Sequence, residues 1–313
     1  MLGTILVIIP IVLVIVILGT WLVGERGRLM LPSTWRWLRE SGWRSVFNGE
    51  FWHAYVYGRW TNWYIGTGIN RTFPRIKPIP GERRWADQYH GKILTQQQAE
   101  ALVMVNQDIH RRDLEQIIPY KTARELLLKA PLEMAVYECY CRHSRPNPCQ
   151  PTQVCMIFGQ PFVDFVLEHH PTTSRRISRD EALQLLRDEH ERGHLHAAYF
   201  KDVMLGRFYA ICNCCQCCCG GIQAMRDYGV PMVCSSGYVA QVDEDQCAAC
   251  GTCQDACPFN AITVDGVSRV DWERCMGCGV CEDQCGQGAI RLVRDERKGI
   301  PLDVRALGTA HLA

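Results

Sequence analysis

Nineteen cysteines in 313 residues constrain this chain more than any other feature, because so many thiols must be either cross-linked or bound to metal. Eight of them fall in two matching runs. Cys247, Cys250, Cys253 and Cys257, followed by Pro258, have the spacing C-x2-C-x2-C-x3-C, and Cys275, Cys278, Cys281 and Cys285 repeat it 28 residues later. Two-residue gaps let one tight loop aim three thiolates at a compact inorganic core while a fourth arrives from elsewhere. Gly251, Gly277 and Gly279 ease the sharp turns such loops need. Zinc also takes four cysteines, but two triple-plus-one runs favour iron and sulfide.

These runs resemble a bacterial-type ferredoxin domain with two 4Fe-4S clusters, and the similarity covers residues 239–294. The resemblance implies crossed ligation, in which the fourth cysteine of each run binds the other cluster. One cluster would use Cys247, Cys250, Cys253 and Cys285, the other Cys275, Cys278, Cys281 and Cys257. It also implies short shielding strands at residues 261–263 and 289–291. Gly286 departs from the family pattern, which usually has proline after the last cysteine.

Eleven cysteines remain. Cys139, Cys141, Cys149 and Cys155 form one group, Cys212, Cys214, Cys215, Cys217, Cys218 and Cys219 another, and Cys234 stands alone in an apolar setting that suits a packing thiol. Adjacent cysteines rarely form unstrained disulfides and six free thiols invite oxidation, so metal ligation is expected for the ten. The two groups resemble elements of ferredoxin-domain redox proteins in which they precede the two-cluster module. Ten thiols suffice for two further 4Fe-4S clusters with two spare, or for one larger cluster; a zinc site at Cys139, Cys141, Cys149 and Cys155 is the competing reading. Arg142, His143 and Arg145 flank the first group and can offset cluster charge or lie in solvent. His194 and His196 are read as hydrogen-bonded histidines rather than ligands.

At the other end, residues 2–23 carry no charge, and at about 1.5 Å per residue they give roughly 33 Å of helix against about 30 Å of bilayer core. The expectation is a transmembrane helix over residues 1–24, bent at Pro10. Arg26, Arg28, Arg36, Arg39 and Arg44 follow it, which places the bulk of the chain on the cytoplasmic side of an inner membrane. Seven of nine tryptophans, Trp21, Trp35, Trp37, Trp43, Trp52, Trp60 and Trp63, fit an interfacial segment over residues 25–84, and its aromatic density also fits a quinone pocket. Residues 1–84 hold eleven Lys/Arg against four Asp/Glu, whereas the remaining 229 hold 23 against 29, so a basic end adjoins an acidic body.

The expected fold class is α+β: the transmembrane helix, the interfacial helical region ending in the proline-rich stretch 72–84, a mixed α+β cysteine-rich domain over 85–238, the ferredoxin module over 239–294 and a tail over 295–313. Helices are expected over 95–105 and 120–129, an extended segment over 132–137, and a further helix that Ser178 and Glu181 cap and Gly193 ends. Residues around 194–211 read as a hairpin leading into the cysteines at 212. With 47% hydrophobic and 21% charged residues the chain can bury a core, and a net charge of +1 argues against a nucleic-acid partner. No Gly-rich dinucleotide fingerprint, phosphate loop or haem-attachment motif is present. The expected function is relay of single electrons through several 4Fe-4S clusters within a redox complex, with flavoprotein, iron-sulfur or quinone-linked partners at a membrane. The alternative is an oxidoreductase whose Cys212–Cys219 element holds an atypical substrate-binding cluster.

Overall fold

The computed structural model describes residues 2–75, 90–104, 133–201 and 203–302, with the side chains of the first helix described from Ile9 onward. The helix expected over 120–129 and most of the proline-rich stretch lie outside the described residues. The amino-terminal part is helical: α1 (Leu2–Gly24), α2 (Pro32–Ser41), α3 (Arg44–Asn48), α4 (Glu50–Arg59) and α5 (Thr61–Thr67), then a π-helical turn at Gly68–Thr72. The middle of the chain alternates β1 (His90–Leu94), α6 (Gln96–Met104), β2 (Met134–Glu138), α7 (Tyr140–His143), β3 (Gln153–Phe158), α8 (Phe162–His169), β4 (Ser174–Arg176), α9 (Arg179–Glu191), β5 (Leu195–Lys201), β6 (Arg207–Cys214), α10 (Gly220–Tyr228) and β7 (Val233–Cys234). The carboxyl-terminal part holds β8 (Tyr238–Val242), α11 (Thr252–Ala256), β9 (Ile262–Asp265), β10 (Val267–Val270), α12 (Val280–Asp283) and β11 (Ile290–Arg294).

The expected transmembrane helix is corrected here: among the described residues no helix is long and apolar enough to cross a membrane. The α1 helix, Leu2–Gly24, carries no charged residue. Its last turn is also fastened to the protein. Trp21 stacks on Tyr55 at 5.1 Å, Arg59 donates to the Gly24 carbonyl at 2.8 Å, and Glu25 is fully buried beside Thr34. Nor are all the tryptophans surface anchors, since Trp37 is buried edge-on against Phe162 and Phe165.

A seven-stranded sheet in the order β4-β2-β3-β6-β5-β1-β7 organises the middle of the chain. All pairings are antiparallel except β1 with β7. Strand alternation divides its side chains between two faces. One face carries Val136, Met156, Phe158, Ala198 and Ile211 and packs under α6 and α9. The opposite face carries Ala135, Ile157, Tyr209 and Ala210 and is covered by α2, α4 and α8. The Ser178 hydroxyl accepts from the Glu181 amide at 3.2 Å, so α9 starts at the cap read from the sequence. Beyond the sheet, β8 pairs with β11 and β9 with β10; Gly251 and Gly279, at φ 84° and 87°, start α11 and α12 at equivalent places in the two repeats.

Candidate iron-sulfur centres

The β6 strand delivers two cysteines to one face because Cys212 and Cys214 are two residues apart, while Asn213 between them points the other way and meets His196 at 2.7 Å. The β3–β6 register pairs Met156 with Ile211 and Ile157 with Ala210, and its next step sets Cys155 beside Cys212, whose thiols are neighbours. Cys139 and Cys141 come from the β2–α7 junction, and Cys219 from the residue capping α10. The contacts close into a ring: Cys139 meets Cys155 and Cys141, Cys141 meets Cys219, Cys219 meets Cys214, and Cys214 meets Cys212.

This ring lines a cavity of about 140 Å³ whose remaining wall is mostly apolar and aromatic, including Tyr57, Tyr64, Tyr137, Tyr140, Tyr199 and Tyr209. The Tyr57 and Tyr209 hydroxyls lie 3.1 Å apart, and the buried Lys201 ammonium sits 4.0 Å from the Tyr57 ring centroid. Burial pushes Tyr57, Tyr137 and Tyr199 well above the usual phenol range, so they stay protonated. Contacts with sulfur neighbours and burial raise the ring thiols too, Cys141 to about 12; binding a metal must displace their protons.

The other four cysteines gather separately. Cys149, Cys215 and Cys217 have sulfurs within 4.8 Å of one another, and Cys218 lies 3.1 Å from Cys217 and contacts Cys215. Burial pushes the Cys218 thiol up, but a backbone bond with Cys149, the Cys217 and Cys215 thiols and the Arg142 guanidinium outweigh it and hold it below the ordinary thiol range. The two sequence groups are therefore redistributed: Cys149 joins three members of the 212–219 run, and Cys139, Cys141 and Cys155 join the other three. No mononuclear zinc site can be made from Cys139, Cys141, Cys149 and Cys155 in this arrangement.

Between the two thiol sites lies Arg142, fully buried, with its Nη2 donating to Glu189 Oε2 at 2.6 Å and to the Asn213 carbonyl at 3.2 Å, and its Nη1 donating to the Pro151 carbonyl. Glu189 also accepts from His194 Nδ1 at 2.7 Å, which leaves His194 Nε2 facing Cys149 Sγ at 3.5 Å. Burial alone would raise Glu189, but His194 and Arg142 hold it below the usual carboxylate value. Of the other flanking cations, His143 is exposed against Glu138, and Arg145 donates to the Cys218 carbonyl at 3.3 Å. Glu189 escaped the sequence reading because it sits in a helix of predominantly polar composition, where a glutamate reads as solvated surface.

In the carboxyl-terminal part, Cys257, Cys275, Cys278 and Cys281 line one small pocket, so the last thiol of the first run stands with three of the second. Cys247 and Cys253 both approach the Ser268 hydroxyl, at 3.5 and 3.2 Å, and Cys250 is exposed. Backbone amides point at the sulfurs: Ala261 at Cys257 (3.2 Å) and Ala240 at Cys275 (3.5 Å). Amide-to-sulfur bonds of this kind stabilise thiolate charge and tune cluster potential, so the donor set fits a 4Fe-4S cluster. Gly277, at φ 63°, lies so close to the Tyr238 carbonyl and the Ser236 hydroxyl that a Cβ would run into both. Cys234, on β7, joins none of these groups.

Comparison with known families agrees with this geometry. The model of the 4Fe-4S binding domain matches twice, at residues 240–263 and 268–291. No curated protein matches the chain. The chain thus carries a two-repeat 4Fe-4S binding module, which supports an iron-sulfur electron-transfer role.

Proposed function

We propose that this protein relays single electrons between the ferredoxin module and further iron-sulfur centres in the sheet domain, as a subunit of a redox complex. One observation carries the reading: a single buried core contains Cys253, Cys257, Cys275, Cys278 and Cys281 together with Cys214 and Cys219. The two halves are also pinned by Gln216, between the thiols of the four-cysteine site, whose amide donates to the Cys257 carbonyl at 3.1 Å. A 4Fe-4S cluster supplies one-electron oxidation and reduction when bound. The chain's own part is to hold it by thiolates, offset its charge with the Ala240 and Ala261 amides, and exclude water with the surrounding core.

Exposure sets the direction of exchange with a partner. Cys250 is exposed and Cys247 half-buried, whereas Cys253, Cys257, Cys275, Cys278 and Cys281 are buried. Asp243, Glu244, Asp245 and Asp255 are exposed around that opening, so the docking face favours a basic surface on a flavoprotein, iron-sulfur or quinone-linked partner. Reductive titration of the anoxically purified chain, followed by electron paramagnetic resonance, is expected to take up more than two electrons, with signals beyond those of the ferredoxin repeats. A protein that takes up no electrons and gives no cluster signal refutes the proposal.

A second reading, an oxidoreductase with an atypical substrate-binding cluster, draws on the tyrosine-lined cavity beside the six-thiol ring. Cyanide added to the reduced protein tests it: a perturbed spectrum marks an accessible iron, and an unchanged one leaves electron relay alone.

A further inference from the structure

The six thiols of the ring are equivalent in one respect that bears on what they hold. Every member has two sulfur neighbours within the ring. A cubane takes four thiolates, which would strand two thiols inside the same closed circuit with nothing in their position to mark them as spare. Two cubanes need eight. The four cysteines that would complete that number, Cys149, Cys215, Cys217 and Cys218, already converge on one another, with only Cys215 reaching the cavity wall.

We infer that Cys139, Cys141, Cys155, Cys212, Cys214 and Cys219 together hold one iron-sulfur cluster with more than four irons, all six acting as terminal ligands, while Cys149, Cys215, Cys217 and Cys218 hold a separate 4Fe-4S cluster. The inference rests on the iron-sulfur reading given above and assigns its sites. Charge supports it. Six thiolates in an apolar cavity require compensating positive charge, since an unpaired buried ion is costly. Arg142 is the only Lys or Arg among the described residues lining the cavity, and its charge is already engaged by the buried Glu189. The compensation therefore has to come from metal bound by the thiolates. Register supports it as well: the six sulfurs come from β2–α7, β3, β6 and the start of α10, and the hydrogen-bonded sheet fixes three of them on one face.

The test is iron and acid-labile sulfide per full-length chain, purified without oxygen, for the parent protein and three double variants. Three cubanes account for about 12 irons, so the parent is expected to exceed about 16. Cys155→Ala/Cys214→Ala is expected to lose more than four irons in one step, whereas Cys217→Ala/Cys218→Ala and Cys250→Ala/Cys278→Ala lose only cubane iron, in multiples of about four. Mössbauer spectra of the parent protein give an independent count should the ring variant fail to fold: iron beyond three cubanes, with isomer shifts or couplings unlike theirs, supports the larger cluster. A parent with about 16 irons or fewer, all cubane in character, or with zinc at the ring, overturns the inference while leaving the ferredoxin module intact. If Cys250→Ala/Cys278→Ala loses no iron, the ferredoxin repeats hold none and the underlying reading fails, an outcome this variant reports separately from the ring.

Discussion

Arg142 offers the sharpest test of how the two thiol sites are held apart. Replacing it in Arg142→Met keeps most of the volume and removes the charge. Breaking a buried ion pair by removing one partner costs about 3–5 kcal/mol. Glu189 keeps its bonds from His194 at 2.7 Å and from Arg192 at 3.0 Å, so the lower end, about 3 kcal/mol, applies. The Pro151 and Asn213 carbonyls lose a donor as well, at about 1 kcal/mol each, for a total near 5 kcal/mol. In Arg142→Met/Glu189→Leu no buried carboxylate is stranded, so the double variant should sit only about 2 kcal/mol below the parent, about 3 kcal/mol above the single variant. Urea unfolding under strict anoxia, read by circular dichroism and by cluster absorbance, measures both. With a slope near 3 kcal/mol per molar, the single variant's midpoint should fall by about 1.7 M and the double variant's by about 0.7 M. A single-variant shift below about 0.3 M, or a double variant less stable than the single, would refute the reasoning.

Three further outcomes are expected. Gly277→Ala should prevent loading of the cluster bounded by Cys257, Cys275, Cys278 and Cys281, with a loss of about four irons per chain, because the added Cβ meets backbone rather than a movable side chain; full iron content in the variant would contradict this. Lys92 is buried with its ammonium donating to the Ile300 carbonyl at 2.8 Å, and burial lowers its pKa from 10.5 to about 8. The folded chain then binds fewer protons than the unfolded chain between pH 8 and 10.5, so this residue's contribution to stability rises with pH across that window and is flat below it. Relative to Lys92→Met, the parent should gain up to about 3 kcal/mol from pH 8 to 10.5, and a pH-independent difference in urea midpoints would exclude the mechanism. Ser178→Ala removes the cap of α9 and should cost about 1 kcal/mol in the same assay, without loss of iron.

Local features were legible in the sequence and long-range ones were not. The two C-x2-C-x2-C-x3-C runs declare themselves because three ligands of each cluster lie in one loop, and the Ser178 cap and the hairpin before Cys212 are likewise contained in a few residues. The ring is different in kind. Cys139 and Cys149 look like neighbours along the chain, yet they belong to different sites, because the turn after α7 carries Cys149 to Cys215, Cys217 and His194. Cys214 and Cys215 are adjacent and also part company, since one ends a strand and the other begins the loop beyond it. The apolar run at the amino terminus misled in the opposite sense. Hydropathy counts side chains and is blind to the fastening of Trp21, Gly24 and Glu25 onto α4, α2 and α8.

Both thiol sites of the sheet domain draw sulfur from the segment before β4 and from the segment after β5, so neither ligand set is complete until two hairpins have met edge to edge. The ferredoxin repeats need no such meeting to present three thiols apiece. On the proposed assignment, topology orders maturation: iron and sulfide can be captured early at the carboxyl-terminal loops, but the sheet must close before the six-thiol ring is assembled to receive metal. Any carrier that fills it has to work on a body already folded.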